Sequence, residues 1–433
     1  MIDKIKNNIF FKSTIVLLIG GTLTKIVGFI LRIIITREIG TEGIGLYSLL
    51  SPTMSLLTVL AIFSYPTAVS KVISSSSTSA KRLFLSIIPI SLIIDAALII
   101  ITIFSANILS SDLLRESRLY YPIICISLTL PFVSVSSIIK GYFWGKQNMT
   151  PYMLSNFLEQ VTRILLITLF ISKFLEISLV YAICFIILVN IAGEIVSILI
   201  MTFYMPKYKV NKDDIKVNKN DINSIMNVSI PSTSSKIIGS FAYFLEPVIL
   251  TNMLLFMGYT KDYIIYEYGI INAYALSLLL MPQFFIQNMS TALIPEMSKY
   301  YSQGNKKMCK KRLSQIIIVS TIIGLVSTII IFIFSKFFLN LLYHTTQGVD
   351  YIKLLAPFTV LYYIENPLIN ALQAIGLSKQ AMKGTIYGSI LRLLAIVIFS
   401  LFHTGMYSLV ISININLVFS TFIYYKIINK ALT

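Results

Sequence analysis

The chain reads as an all-α polytopic membrane protein of about twelve transmembrane helices, arranged as two six-helix lobes joined by a polar linker. Three observations predict this. Of its 433 residues 56% are hydrophobic and only 12% charged, about half the charge of an ordinary soluble domain, with a mean hydropathy of +0.83. Apolar runs of roughly 20 residues recur along the chain, each long enough as a helix to cross a hydrocarbon core of about 30 Å. Short sequence matches then recur in the same order in the two halves.

The elements follow in order. The first span, 14–36, has a basic start like that of a signal peptide, but the run is too long for one, contains Lys25 and Arg32, and lacks a small-residue cleavage site, so it is expected to be retained. The second, 44–64, leads into YPTAVSK (Tyr65–Lys71). SSSSTS (Ser74–Ser79) is a short polar turn before the spans 83–105 and 119–141. The fifth, 151–172, carries Glu159 and Arg163, and the sixth, 178–204, ends the first lobe (1–204). MPKYKVNKDDIKVNKND, 205–221, is charged and loop-like and forms the linker. The second lobe (222–433) holds spans at 225–250, 265–290, 313–341, 352–376, 384–402 and 405–427.

The repeat is carried by four matches. TKIVGF (Thr24–Phe29) answers to SKIIGS (Ser235–Ser240), YPTAVSK to IPEMSK (Ile294–Lys299), Pro131-Phe132 to Pro357-Phe358, and KQNM (Lys146–Met149) to KQAM (Lys379–Met382). Equivalent spans lie six apart, an even number, so both halves have the same orientation. A parallel repeat about an axis along the membrane normal is an arrangement used by alternating-access carriers.

The net charge of +17 does not mark a nucleic-acid surface, because the basic residues are spread along the chain. With both termini on one side, 23 Lys and Arg fall on that side and 7 on the other. The excess of basic residues in cytoplasmic segments places both termini and the linker in the cytoplasm. Cys125 and Cys184 lie within spans and Cys309 in a loop, with no disulfide framework or metal spacing. The short loops hold none of HExxH, GxSxG or GxxxxGK[ST], and there are two histidines, His344 and His403, at outer loops or span ends. That argues against an enzyme and against an ATP-driven pump. No cofactor and no metal are expected.

Ionisable residues inside spans are functional candidates, since each costs several kcal/mol unless paired or hydrated. Lys25 and Lys236 occupy equivalent places in the two halves, each with a Gly three residues on, roughly 16–18 Å from the cytoplasmic edge by helix rise. Arg32 lies two turns beyond Lys25 on the same face; snorkelling to an interface is the competing account for all three. Glu159 and Arg163, at i and i+4, can pair on one helical face. Either the pair fixes helix packing alone, or it holds Arg163 toward a wet cavity as part of an anion site. By the KQ-x-M register Arg392 falls where Glu159 falls in the first half. The buried acids are Asp95, Glu159, Glu194 and Glu365, expected as ion-pair or coupling groups, with Glu246 nearer the outer edge.

KIVGFILRIIITREIGTEGIGLYSLLSP (Lys25–Pro52), YPTAVSK and GYFWGKQNMTPYMLSNFLEQVTRI (Gly141–Ile164) resemble the stage V sporulation protein B group. That group belongs to the polysaccharide-transporter branch of the multidrug/oligosaccharidyl-lipid/polysaccharide exporter superfamily. The motif GxEGxGLY (Gly40–Tyr47) and the pattern NMTP…EQ..R (Asn148–Arg163) together carry the resemblance, which is strongest over the first 170 residues. Lys25 stands where the group's pattern has Arg, and the chain lacks added C-terminal helices. The resemblance implies lobes in a V around a cavity, a lipid-linked glycan as substrate, membrane lipids and envelope glycan synthases as partners, and a monomer in the cytoplasmic membrane. The cations Lys25, Arg32, Arg163, Lys236 and Arg392 would then line the cavity and bind pyrophosphate. Two other readings remain: a cation-coupled multidrug exporter using Asp95, Glu159 and Glu365, and a non-transporting membrane scaffold for a glycan synthase. The orientation is testable: a cysteine placed at Asn218 is expected to resist a membrane-impermeant thiol reagent applied to intact cells and to react after permeabilisation.

Overall fold

The structure is a computed structural model that describes residues 9–75, 80–206 and 219–432. Part of the SSSSTS turn and residues 207–218 of the expected linker lie outside the described residues.

Among the described residues there is no strand. The helices are α1 (Ile9–Ile62), α2 (Tyr65–Ser75), α3 (Ala80–Asn107), α4 (Tyr120–Gly145), α5 (Met149–Ile177), α6 (Leu179–Phe203), α7 (Lys219–Phe256) and α8 (Lys261–Gly269). A π-helical turn (Ile270–Leu276) leads into α9 (Ser277–Leu280), followed by α10 (Gln283–Ser302), α11 (Lys306–Ile333), α12 (Ser335–Tyr343), α13 (Val349–Ala374), α14 (Ser378–Leu401) and α15 (Tyr407–Leu432).

Each of the twelve expected spans falls on helix. Among the described residues nine helical stretches are long and apolar enough to cross a membrane, the first of which, Ile19–Ser74, covers two expected spans. α5 and α13, of 29 and 26 residues, are also long enough to span but are not among these nine; α5 carries Glu159 and Arg163, and α13 carries Lys353 and Glu365. Two expected spans are broken. The span at 265–290 is interrupted at Met281-Pro282, since Pro supplies no backbone N–H to the helical ladder. The span at 313–341 ends early: α11 stops at Ile333 and a separate short helix, α12, follows Phe334. Helix starts are capped as side-chain chemistry dictates: Thr260, Ser178 and Asn305 accept from the N–H groups of Tyr263, Tyr181 and Met308.

The chain divides into two compact units, unit 1 comprising Met1–Ile39 and Leu50–Phe241, and unit 2 Gly40–Leu49 and Ala242–Thr433. In unit 1, α4 packs against α2, α3 and α6, and α5 packs against α6. Its core joins Tyr65, Val69, Leu83, Ile138, Phe143 and Met201. In unit 2 the equivalent helices repeat that pattern: α13 packs against α10, α11 and α15, and α14 against α15. The core there joins Met297, Leu313, Leu368, Leu372, Tyr424 and Ile428. Three of the four sequence matches therefore mark one packing scheme built twice.

α1 breaks at Gly40, whose φ of 67° and ψ of −174° suit glycine alone. Beyond the break, Gly45 lies directly on α8. A Cβ on Gly45 would stand 2.3 Å from the Ile265 carbonyl oxygen, and one on Gly269 would stand 2.7 Å from the Gly45 Cα. Thr41 and Tyr274 join their hydroxyls at 3.1 Å beside this contact. Two glycines of the GxEGxGLY motif thus have separate physical reasons, one a backbone conformation and the other a close approach.

Gly45→Ala is expected to cost about 1–3 kcal/mol or more through overpacking against backbone. Gly239→Ala, whose Cβ meets nothing within 4 Å, is expected to leave stability unchanged or raise it by up to about 1 kcal/mol. Thermal unfolding of the two purified variants checks the contrast.

Candidate functional site

The opening chemistry of the site is a charge problem inside α5. Glu159 and Arg163 sit one turn apart, and their side chains meet at 2.6 Å between Arg163 Nη2 and Glu159 Oε1. The pair does not stand alone. Glu194 on α6 approaches Arg163 Nη2 at 3.6 Å. Lys140 on α4 extends its Nζ to 3.4 Å from Glu159 and 3.5 Å from Glu194. Two carboxylates and two cations from three helices form one neutral cluster inside unit 1. Both acids are buried. Gly193 makes room for it: a Cβ there would lie 2.7 Å from Arg163 Nε.

Lys140 is the residue that sequence reasoning missed. It ends the expected span 119–141 and counts there among the cytoplasmic basic residues, yet its flexible stem turns the ammonium inward. The available signal was two carboxylates, Glu159 and Glu194, facing one Arg in adjacent spans.

In unit 2 the polarity at the equivalent place is reversed. Arg392 on α14, aligned with Glu159, binds Glu246 on α7 at 2.5 Å. Glu246 is 2% exposed, and sequence reasoning placed it toward the outer edge without naming it as this partner. Glu365 on α13 is half-buried, within hydrogen-bonding reach of Ser420 and in the field of Arg392. Arg163 and Arg392 each keep a buried Nε without a hydrogen-bond partner.

Lys25 and Arg32 on α1 and Lys236 on α7 are exposed, and all three belong to the residues of unit 1. Asp95 is fully buried between α3 and α4, where it meets Ser134. His344 and His403 occupy left-handed positions at helix ends. The predicted residues therefore fall into four groups: exposed cations, a buried acid with a hydroxyl partner, cations held by acids of their own unit, and the half-buried Glu365 beside Ser420.

Comparison with known proteins identifies the family and the fold. The profile of the family described as polysaccharide biosynthesis protein matches residues 10–301, and that of MatE matches residues 240–398. The chain is 32% identical over 394 residues to stage V sporulation protein B of Bacillus subtilis, covering 88% of this chain and 76% of that one. It is 21% identical over 419 residues to the lipid II flippase MurJ of the same organism, covering 88% and 76%. Among solved structures, an inward-facing multidrug resistance MATE family transporter of the MOP superfamily superposes with a TM-score of 0.77 at 16% identity, over 95% of this chain and 94% of that one. The chain belongs to the polysaccharide biosynthesis protein family and shares its fold with a MATE family transporter.

Removing one member of a buried ion pair strands the other, at about 3–5 kcal/mol, whereas removing both costs far less. Arg392→Met alone is expected to destabilise the protein by that order, and Arg392→Met with Glu246→Gln to recover most of the loss. A double-mutant cycle read by denaturation in detergent checks the coupling; additive effects would show the contact carries no energy.

Proposed function

We propose that this protein flips a lipid-linked oligosaccharide or peptidoglycan-type precursor across the cytoplasmic membrane, with both termini in the cytoplasm, for assembly of cell-envelope or spore cortex polysaccharide. The observation that carries the reading is the sign of the exposed charge. Within the spans, the exposed members of the predicted set are the cations Lys25, Arg32 and Lys236, while Asp95, Glu159 and Glu194 are buried. A charge exposed on a membrane-embedded helix faces water or a polar ligand, because hydrocarbon excludes it.

A pyrophosphate-linked glycan headgroup supplies the matching chemistry: several anionic acceptor oxygens and many hydroxyls. Arg32 offers a bidentate fork to such oxygens, and Lys25 and Lys236 offer point charges. Arg163 and Arg392, already held by their own acids, add to the field and not to the first grip. The names of the similar proteins, one a sporulation protein and one a lipid II flippase, support the same substrate class.

A second reading, a cation-coupled multidrug exporter, has its own support in the match over residues 240–398 and in the MATE-like fold. To bind cationic drugs it needs acids that a substrate can reach. Of those it would use, Asp95 and Glu159 are buried in unit 1 and Glu365 is half-buried in unit 2.

The test is translocation of a labelled lipid-linked precursor in proteoliposomes. Lys25→Gln with Lys236→Gln is expected to slow it about tenfold or more, since each charged hydrogen bond contributes about 1.5–3 kcal/mol. Lys25→Arg is expected to retain most of the rate. Wild-type rates from the double variant at equal reconstitution would refute the assignment.

A further inference from the structure

We infer that Asp95, with Ser134 and Tyr65, forms a proton-binding site inside unit 1, and that Asp95 holds its proton in this conformation. Asp95 lies near the middle of α3 and is 0% exposed. The other acids singled out in the spans lie with a base: Glu159 and Glu194 with Lys140 and Arg163, Glu246 with Arg392, and Glu365 in the field of Arg392. Asp95 differs. Among the described residues its polar neighbours are the Ser134 hydroxyl on α4 and the Tyr65 hydroxyl at the start of α2, and no Lys, Arg or His forms an ion pair with it.

The hydrogen-bond geometry favours the proton. Ser134 Oγ contacts Asp95 Oδ2 and also lies 3.1 Å from the Pro131 carbonyl oxygen. The serine has one proton and cannot give it to both acceptors. Both contacts are satisfied together when Asp95 carries a proton on Oδ2 and donates it to Ser134 Oγ, while the serine donates to the Pro131 carbonyl. The remaining oxygen, Asp95 Oδ1, is buried without a partner, as is the Tyr65 hydroxyl. A bare carboxylate oxygen in that position would cost far more than a neutral carbonyl oxygen.

A metal cation fits the site poorly. Hard cations need several oxygen ligands, whereas Asp95 Oδ1 and Tyr65 are the unpartnered oxygens identified beside the acid. A proton needs no coordination shell. When the acid ionises, the O–H bond breaks, the proton passes to water, and the charge left on Asp95 has to be met by water entering between α2, α3 and α4. Proton release is thereby tied to a rearrangement of these three helices, which gives a transporter access to a proton gradient.

The test is infrared difference spectroscopy of the purified full chain at neutral pH, independent of which substrate is carried. A carbonyl stretch from a protonated carboxyl is expected in the wild type, shifted in heavy water, lost in Asp95→Asn and retained in Glu365→Gln. Asp95→Asn, a neutral isostere, is expected to keep the wild-type thermal midpoint. Should that variant not fold, Ser134→Ala is expected to shift the frequency of the same band. The inference is overturned if no band disappears in Asp95→Asn or moves in Ser134→Ala. It is equally overturned if sodium chloride, compared with choline chloride, raises the thermal midpoint of the wild type but not of Asp95→Asn, which would make the site a metal site.

Discussion

A charge taken into hydrocarbon must be met by an opposite charge, by a proton or by water, and the interior of this protein is organised around which of the three each residue receives. Lys140, Glu159, Arg163 and Glu194 meet one another. Because they come from α4, α5 and α6, their mutual neutralisation also fixes how those helices lie against each other. A slide of α5 by one turn would move both members of its i,i+4 pair away from Lys140 and Glu194 together. The same rule acts in unit 2 with fewer parts, where Arg392 ties α14 to α7 through Glu246.

The outcome bears on the two uses that an intramembrane charge can have. A cation satisfied by two carboxylates has little field left for a ligand. By that measure Arg163 belongs chiefly to the framework, whereas Lys25, Arg32 and Lys236 stand on exposed helical faces. The pair in α5 that looks most expensive in the sequence is thus the one most fully compensated in the fold.

Much of this was legible without coordinates. Hydrophobic length alone located the helices, because a hydrocarbon slab allows few other solutions to a chain of this composition. The short matches between halves anticipated the shared packing of α4 and α13 on their neighbours. The Glu159–Arg163 contact followed from their spacing. What was not legible depended on contacts between distant segments. Lys140 was misplaced because hydropathy assigns a terminal Lys to water and cannot see two acids on adjacent helices. Glu246 was not recognised as the partner of Arg392 because nothing in the chain joins residues so far apart. The break after Met281 could have been suspected from Pro282, and the end of α11 at Ile333 from the polar pair Ser335-Lys336 that interrupts the apolar run just beyond it.

The seating of Gly40–Leu49 among the helices of unit 2, and of α7 up to Phe241 in unit 1, has a consequence for how the chain could be divided. A cut within 205–221 looks natural in the sequence, yet each fragment would leave behind a segment that completes the other's core. The C-terminal piece would lack the strip that presses Gly45 onto α8, and the N-terminal piece would lack Ile225, which sits in the apolar cluster of unit 1. The two pieces would have to be synthesised together and complement each other.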